Sequence, residues 1–69
     1  MITIIRTDVR TKRIGNMSNV YLKCKDTDTG RRFNCVFIVT KELLADKNFD
    51  FAVYKQKIAE DALSALLKD

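Results

Sequence analysis

The stretch NVYLKCKDTDTGRRFNCVFIVT, residues 19–40, decides the fold: two runs of alternating apolar and polar residues are joined by the polar turn Asp26-Thr27-Asp28-Thr29-Gly30. Alternation of this kind sends successive side chains to opposite faces of a strand. With Asp26 opposite Arg31, four residues form the loop and Gly30 is free to take a positive φ. The register of the whole hairpin follows. Cys24 stands across from Phe33, Leu22 from Cys35 and Val20 from Phe37, so one face is entirely apolar. The opposite face pairs Lys25 with Arg32, Lys23 with Asn34 and Tyr21 with Val36, and a slip of one residue would scramble both sets.

Upstream, Ile2 to about Val9 is rich in Ile, Thr and Val and reads as a first strand. Its alternation breaks at Ile4 and Ile5, which are adjacent and cannot both face one core. Arg10 to Ser18 is a basic connection containing Gly15-Asn16, read either as an extension of that strand into a second hairpin or as a plain loop. The pairing of the first strand with the second is left open. Strand two is expected from about Asn19 to Lys25 and strand three from about Arg31 to Thr40. The unbroken apolar run Cys35 to Val39 predicts that part of strand three is covered on both faces.

Downstream, Thr40 is placed to cap a helical turn over Lys41-Glu42-Leu43-Leu44-Ala45, and the polar residues Asp46 to Asp50 break it. Asn48 or Asp50 then caps a longer helix. Phe51, Tyr54, Ile58, Ala62, Ala65 and Leu66 recur at helical intervals, with Leu63 and Leu67 widening the stripe. About eighteen helical residues span roughly 27 Å, enough to lie across three strands. The expected fold is α+β: a two-layer single domain over residues 1–69, with a three-stranded antiparallel sheet, a short helical turn and one long C-terminal amphipathic helix on one sheet face. Sixty-nine residues are close to the lower limit for a core held without metal, disulfides or a partner.

Several function classes are disfavoured by composition. No apolar run approaches the roughly 18 to 20 residues of a membrane span, and Met1-Ile2-Thr3-Ile4-Ile5 lacks the pattern of a signal peptide, so a cytoplasmic location and no membrane partner are expected. Cys24 and Cys35 both fall on the inward face of the hairpin, diagonally offset, and read as reduced, buried side chains. The chain has no histidine and no glycine-rich phosphate loop. Asp26 and Asp28 fit turn chemistry better than a cation loop, and the adjacent Glu60 and Asp61 diverge by about 100° on a helix. No enzymatic activity, cofactor or metal is expected.

Binding is what remains, and charge is unevenly spread. Residues 1–32 carry eight Lys/Arg against three Asp, a balance of +5, whereas residues 33–69 carry five Lys against six Asp/Glu, a balance of −1. The expected function is protein association, as a homodimer or on a partner protein, through the apolar residues Tyr21, Val36, Ile38, Leu63 and Leu67. The alternative is nucleic-acid binding through the basic sheet face, with Arg6, Arg13, Lys23, Lys25, Arg32 and Asn34 as contacts. In architecture alone, the expected order is similar to the three-strand-plus-helix DNA-binding domains at the amino ends of some integrases and in plant transcription factors. That resemblance implies DNA contact through the sheet. In size and layout the chain also resembles small accessory proteins of phages and mobile elements, which implies a host protein as partner.

Overall fold

A computed structural model describes residues 1–12 and 15–68. The elements are β1 (Ile2–Thr11), β2 (Met17–Asp26), β3 (Arg32–Thr40), α1 (Lys41–Ala45) and α2 (Phe51–Leu67). The strands form one antiparallel sheet in the order β1-β2-β3, so β1 does pair with β2. The α+β class and the element order expected from sequence are both present.

The hairpin register is the one the alternation dictates, from Lys25 opposite Arg32 through Cys24–Phe33 and Leu22–Cys35 to Val20–Phe37. Asp26 fixes it. Its N–H donates to the Arg31 carbonyl at 2.8 Å, and its own carbonyl accepts from Gly30 N–H at 2.8 Å. Its buried carboxylate accepts from Asp28 N–H at 3.1 Å and from the Thr29 hydroxyl at 3.0 Å. Gly30 takes φ 76°, which only glycine adopts without strain. The same turn anchors the chain start: Thr27 donates to the Met1 carbonyl through both N–H and hydroxyl, and the Met1 amino group lies 2.7 Å from the Asp28 carboxylate. That hydrogen bond raises the pKa of the terminal amine.

The irregularity at Ile4 and Ile5 is a β-bulge. Ile4 lies opposite Cys24 and Arg6 opposite Lys23, leaving Ile5 as the extra residue. Beyond it, Thr7, Val9 and Thr11 lie opposite Leu22, Val20 and Ser18 on the inward face, while Arg6, Asp8 and Arg10 turn outward. In regular alternation without the bulge, Arg6 would fall on the inward face with Ile4, and the parity of the strand would be mismatched to β2. The stretch from Arg10 onward is therefore a strand to Thr11, and β2 begins at Met17, two residues before its expected start.

One sheet face holds the core. Val20, Leu22 and Cys24 are buried at its centre, with Ile2, Phe33 and Val39 around them. The Phe37 ring meets Tyr54 at 5.4 Å and Phe51 at 6.5 Å, and Phe49 closes on Tyr54 at 5.3 Å. Each such pair adds about 0.5–1.5 kcal/mol beyond its burial. Thr40 and Asp50 cap the two helices, accepting from Leu43 and Val53 N–H respectively. The buried hydroxyl of Ser18 is satisfied by Thr11 at 3.3 Å. No helix of the described residues is long and apolar enough to cross a membrane.

Three expectations are corrected. Val36 and Ile38 are each 58 % exposed, so β3 is covered on one face only: the apolar run does not signal a second layer. The α2 residue in tightest contact is Ala59, fully buried, whose small side chain lets the helix approach the sheet. Ala65 and Leu66, expected in the stripe, are exposed. Leu66 points in nearly the same direction as Ala59, two turns earlier, so its exposure shows that the sheet has ended beneath the last turn.

Cys24 and Cys35 are free thiols, the first buried and the second half-buried. Burial, with Cys35 beside it, pushes the Cys24 thiol from 9.0 up to about 11. An unfolded chain ionises this thiol above pH 9 while the folded chain keeps it protonated, so the contribution to stability is complete below pH 9 and is lost between pH 9 and about 11. In native buffer at neutral pH, Cys24 is expected to resist a thiol probe that labels it rapidly in denaturant. Asp26→Ala is expected to cost about 1–3 kcal/mol in urea unfolding, because the turn donors lose a buried acceptor, with Asp26→Asn costing less.

Candidate functional site

The uncovered face of the sheet is built in rows by the paired strands. Across β1, β2 and β3 the rows read Thr3–Lys25–Arg32, Arg6–Lys23–Asn34, Asp8–Tyr21–Val36 and Arg10–Asn19–Ile38. Adjacent strands lie about 4.8 Å apart, so each row spans roughly 10 Å of backbone. Arg6, Asp8, Arg10, Tyr21, Lys23 and Asn34 border a single hollow on this surface.

The face holds five cations, Arg6, Arg10, Lys23, Lys25 and Arg32, against the single carboxylate of Asp8. That excess of +4 equals the net formal charge of the whole sequence. Arg6 Nε lies 3.1 Å from the Asp8 carboxylate, an exposed pair that contributes little to stability but partly neutralises Arg6. The Arg10 guanidinium sits 5.1 Å above the Tyr21 ring, a cation–π contact that orients both side chains on the surface. On β2 and β3 charge and apolarity are segregated along the strands, whereas on β1 Arg10 shares the row of Ile38. Lys25, Arg32, Lys23 and Asn34 occupy the end near the Asp26 turn, and Val36 and Ile38 the other end.

Arg6, Lys23, Lys25, Arg32 and Asn34 are thus brought together as the basic-face reading expects, while Arg13 lies outside the described residues. The expected apolar interface is divided. Tyr21, Val36 and Ile38 share the outer face, but Leu63 is half-buried against the core and Leu67, 63 % exposed, lies in the helix layer beside Met1 and Asp28. The five residues do not form one surface. Arg10 and Asn19 join this face beyond the expected set, since the stretch from Arg10 was left open between strand extension and loop; counting alternation forward from Ile4 and past the irregularity at Ile5 would have placed Arg10. The turn carboxylates of Asp26 and Asp28 are engaged with backbone, hydroxyl and amine groups.

No protein-family model, no curated protein and no solved structure matches this chain.

Proposed function

We propose that this protein is a non-enzymatic binding module that engages duplex nucleic acid through the outer face of its sheet. The observation that carries the reading is the concentration of a +4 excess on one face, equal to the net charge of the entire sequence. Lys and Arg side chains on such a face contact phosphates and release counterions, which gives affinity irrespective of sequence. Asn34, beside Lys23 and Arg32, and Asn19, beside Arg10, have the paired donor and acceptor that reads adenine in a major groove.

Duplex is favoured over single strand because the face offers one aromatic ring, Tyr21, and Arg10 already covers it. Single-strand binders present several rings on which successive bases stack. Stacking two copies face to face is disfavoured by the same charge, since each would oppose its +4 excess to another.

Fluorescence anisotropy of a labelled duplex titrated over a range of salt concentrations tests this. With Arg6 partly held by Asp8, the four remaining cations predict that the log of the binding constant falls against log salt with a slope of about −4. Arg32→Ala is expected to reduce that slope by about one if it contacts phosphate, or to relax sequence preference at a cost of about 1–3 kcal/mol if it reads a base. Lys57→Ala, on the exposed side of α2, is expected to change neither. Absence of binding at low salt, or equal losses from Lys57→Ala and Arg32→Ala, would overturn the proposal.

A further inference from the structure

The two edges of the sheet are unlike. β1 is interrupted by the bulge at Ile5 and carries Arg6, Asp8 and Arg10 along its length, devices that discourage another strand from pairing there. β3 has none of them between Asn34 and Lys41, where the run Cys35-Val36-Phe37-Ile38-Val39-Thr40 is uncharged, lacks proline and is unbulged.

The direction of the free backbone groups on β3 follows from the two ends of its ladder. Asp26 N–H donates to the Arg31 carbonyl and Lys41 N–H donates to the Asn16 carbonyl, both at 2.8 Å and both continuing the register in which Leu22 faces Cys35. Residues along an antiparallel ladder alternate between pairs that exchange hydrogen bonds and pairs that do not. Phe33, Cys35, Phe37 and Val39 therefore turn their N–H and C=O groups toward β2. Arg32, Asn34, Val36 and Ile38 turn theirs to the open edge, as Thr40 turns its N–H, while the Thr40 carbonyl serves the first turn of α1 as its N-cap acceptor.

We infer that this edge pairs with the β3 of a second copy, antiparallel and centred on Val36, joining two three-stranded sheets into one of six strands. What fits a row of free backbone donors and acceptors is another extended strand, and β3 matches itself over its full length. Centring on Val36 sets Arg32 opposite the second copy's Thr40 and Asn34 opposite its Ile38, so Asn34, Val36 and Ile38 pair through both backbone groups, Thr40 pairs through its N–H, and no cation meets a cation. On the helix side, Phe33 meets the second copy's Val39 and Cys35 meets its Phe37. Cys35 and Phe37, which point toward the helix layer yet stay half-buried, gain cover from this pairing. The arrangement is a closed two-fold, and it lays the basic faces side by side instead of stacking them. Because the strands run in opposite directions, the Lys25–Arg32 ends fall at opposite ends of the joined sheet. The inference stands apart from nucleic-acid binding and is measured without it.

Sedimentation equilibrium at high micromolar concentration is expected to show a species of twice the monomer mass. Val36→Pro removes an N–H that faces the open edge and not β2, so the far-UV circular dichroism is expected to stay and the dimer to be lost. Val36→Thr keeps that N–H and the branched shape, and is expected to stay dimeric. If Val36→Pro does not fold, Val36→Lys takes its place: two lysines facing each other across the axis are expected to weaken the dimer by about tenfold or more. A wild-type monomer at high concentration overturns the inference, as does a folded dimeric Val36→Pro or an unweakened Val36→Lys. Equal loss of dimer in Val36→Thr and Val36→Pro overturns it too, since it would mean that side chains of the outer face, not the backbone edge, make the contact.

Discussion

The buried carboxylate of Asp26 is the constraint from which the rest of the molecule follows. Its backbone closes the β2–β3 ladder against Arg31 and Gly30, and its side chain gathers the turn donors Asp28 N–H and the Thr29 hydroxyl. It also lies opposite Ile2, with the Met1 amine 3.8 Å away, so the point that sets the hairpin register also sets where β1 begins. With side chains alternating at period two, one register decides every inward and outward residue of two strands. Removing this buried acceptor costs about 1–3 kcal/mol, a large share of what a domain of this size has to spare.

From that register the segregation of chemistry is a matter of parity. Val20, Leu22 and Cys24 go in, so Tyr21, Lys23 and Lys25 go out, and β3 answers with Phe33 and Phe37 inside, Arg32 and Asn34 outside. β1 would fall out of step after Ile4. The bulge at Ile5 absorbs one residue and restores the match, which brings Arg6 and Arg10 to the outer face and sets Thr7 and Val9 beside Leu22 and Val20 on the inner one. A local defect in one strand thus adds Arg6 and Arg10 to the three cations that the hairpin register already places on that surface.

How much of this was legible from the residues depended on the range of the signal. The hairpin register was legible, though not the first two residues of β2, because alternation and a polar four-residue turn are local and mutually consistent. The Thr40 cap was legible for the same reason, and the cap of α2 was narrowed to Asn48 or Asp50, of which Asp50 holds the position. The end of β1 was not, since Arg10 and Thr11 are polar residues at an edge, whose strand character comes from pairing with Asn19 and Ser18 and not from their own preference. Apolarity misled in two places. The run Cys35 to Val39 suggested cover on both faces, and Leu66 suggested contact, but hydrophobic pattern records direction, not whether a neighbouring layer extends that far. Of the site, the hairpin cations were legible and Arg10 was hidden behind the bulge.

The unprotected β3 edge and the exposed Val36 and Ile38 have one physical explanation under edge pairing. A strand of branched and aromatic residues with no inward charge, proline or bulge is a hazard in a monomer, because it offers a template to any extended chain. The opposite edge, β1, carries both a bulge and charges, so the fold does not lack the means of protection. A two-fold contact through β3 consumes the hazardous edge and leaves only the guarded edges at the ends of the joined sheet. It also places Val36 of each copy beside the other's, sheltering apolar surface within the outer face while the Lys25–Arg32 ends remain open to solvent at either extreme. The same outer surface then carries two separated basic ends instead of one, an arrangement suited to a long, regular polyanion more than to a compact one.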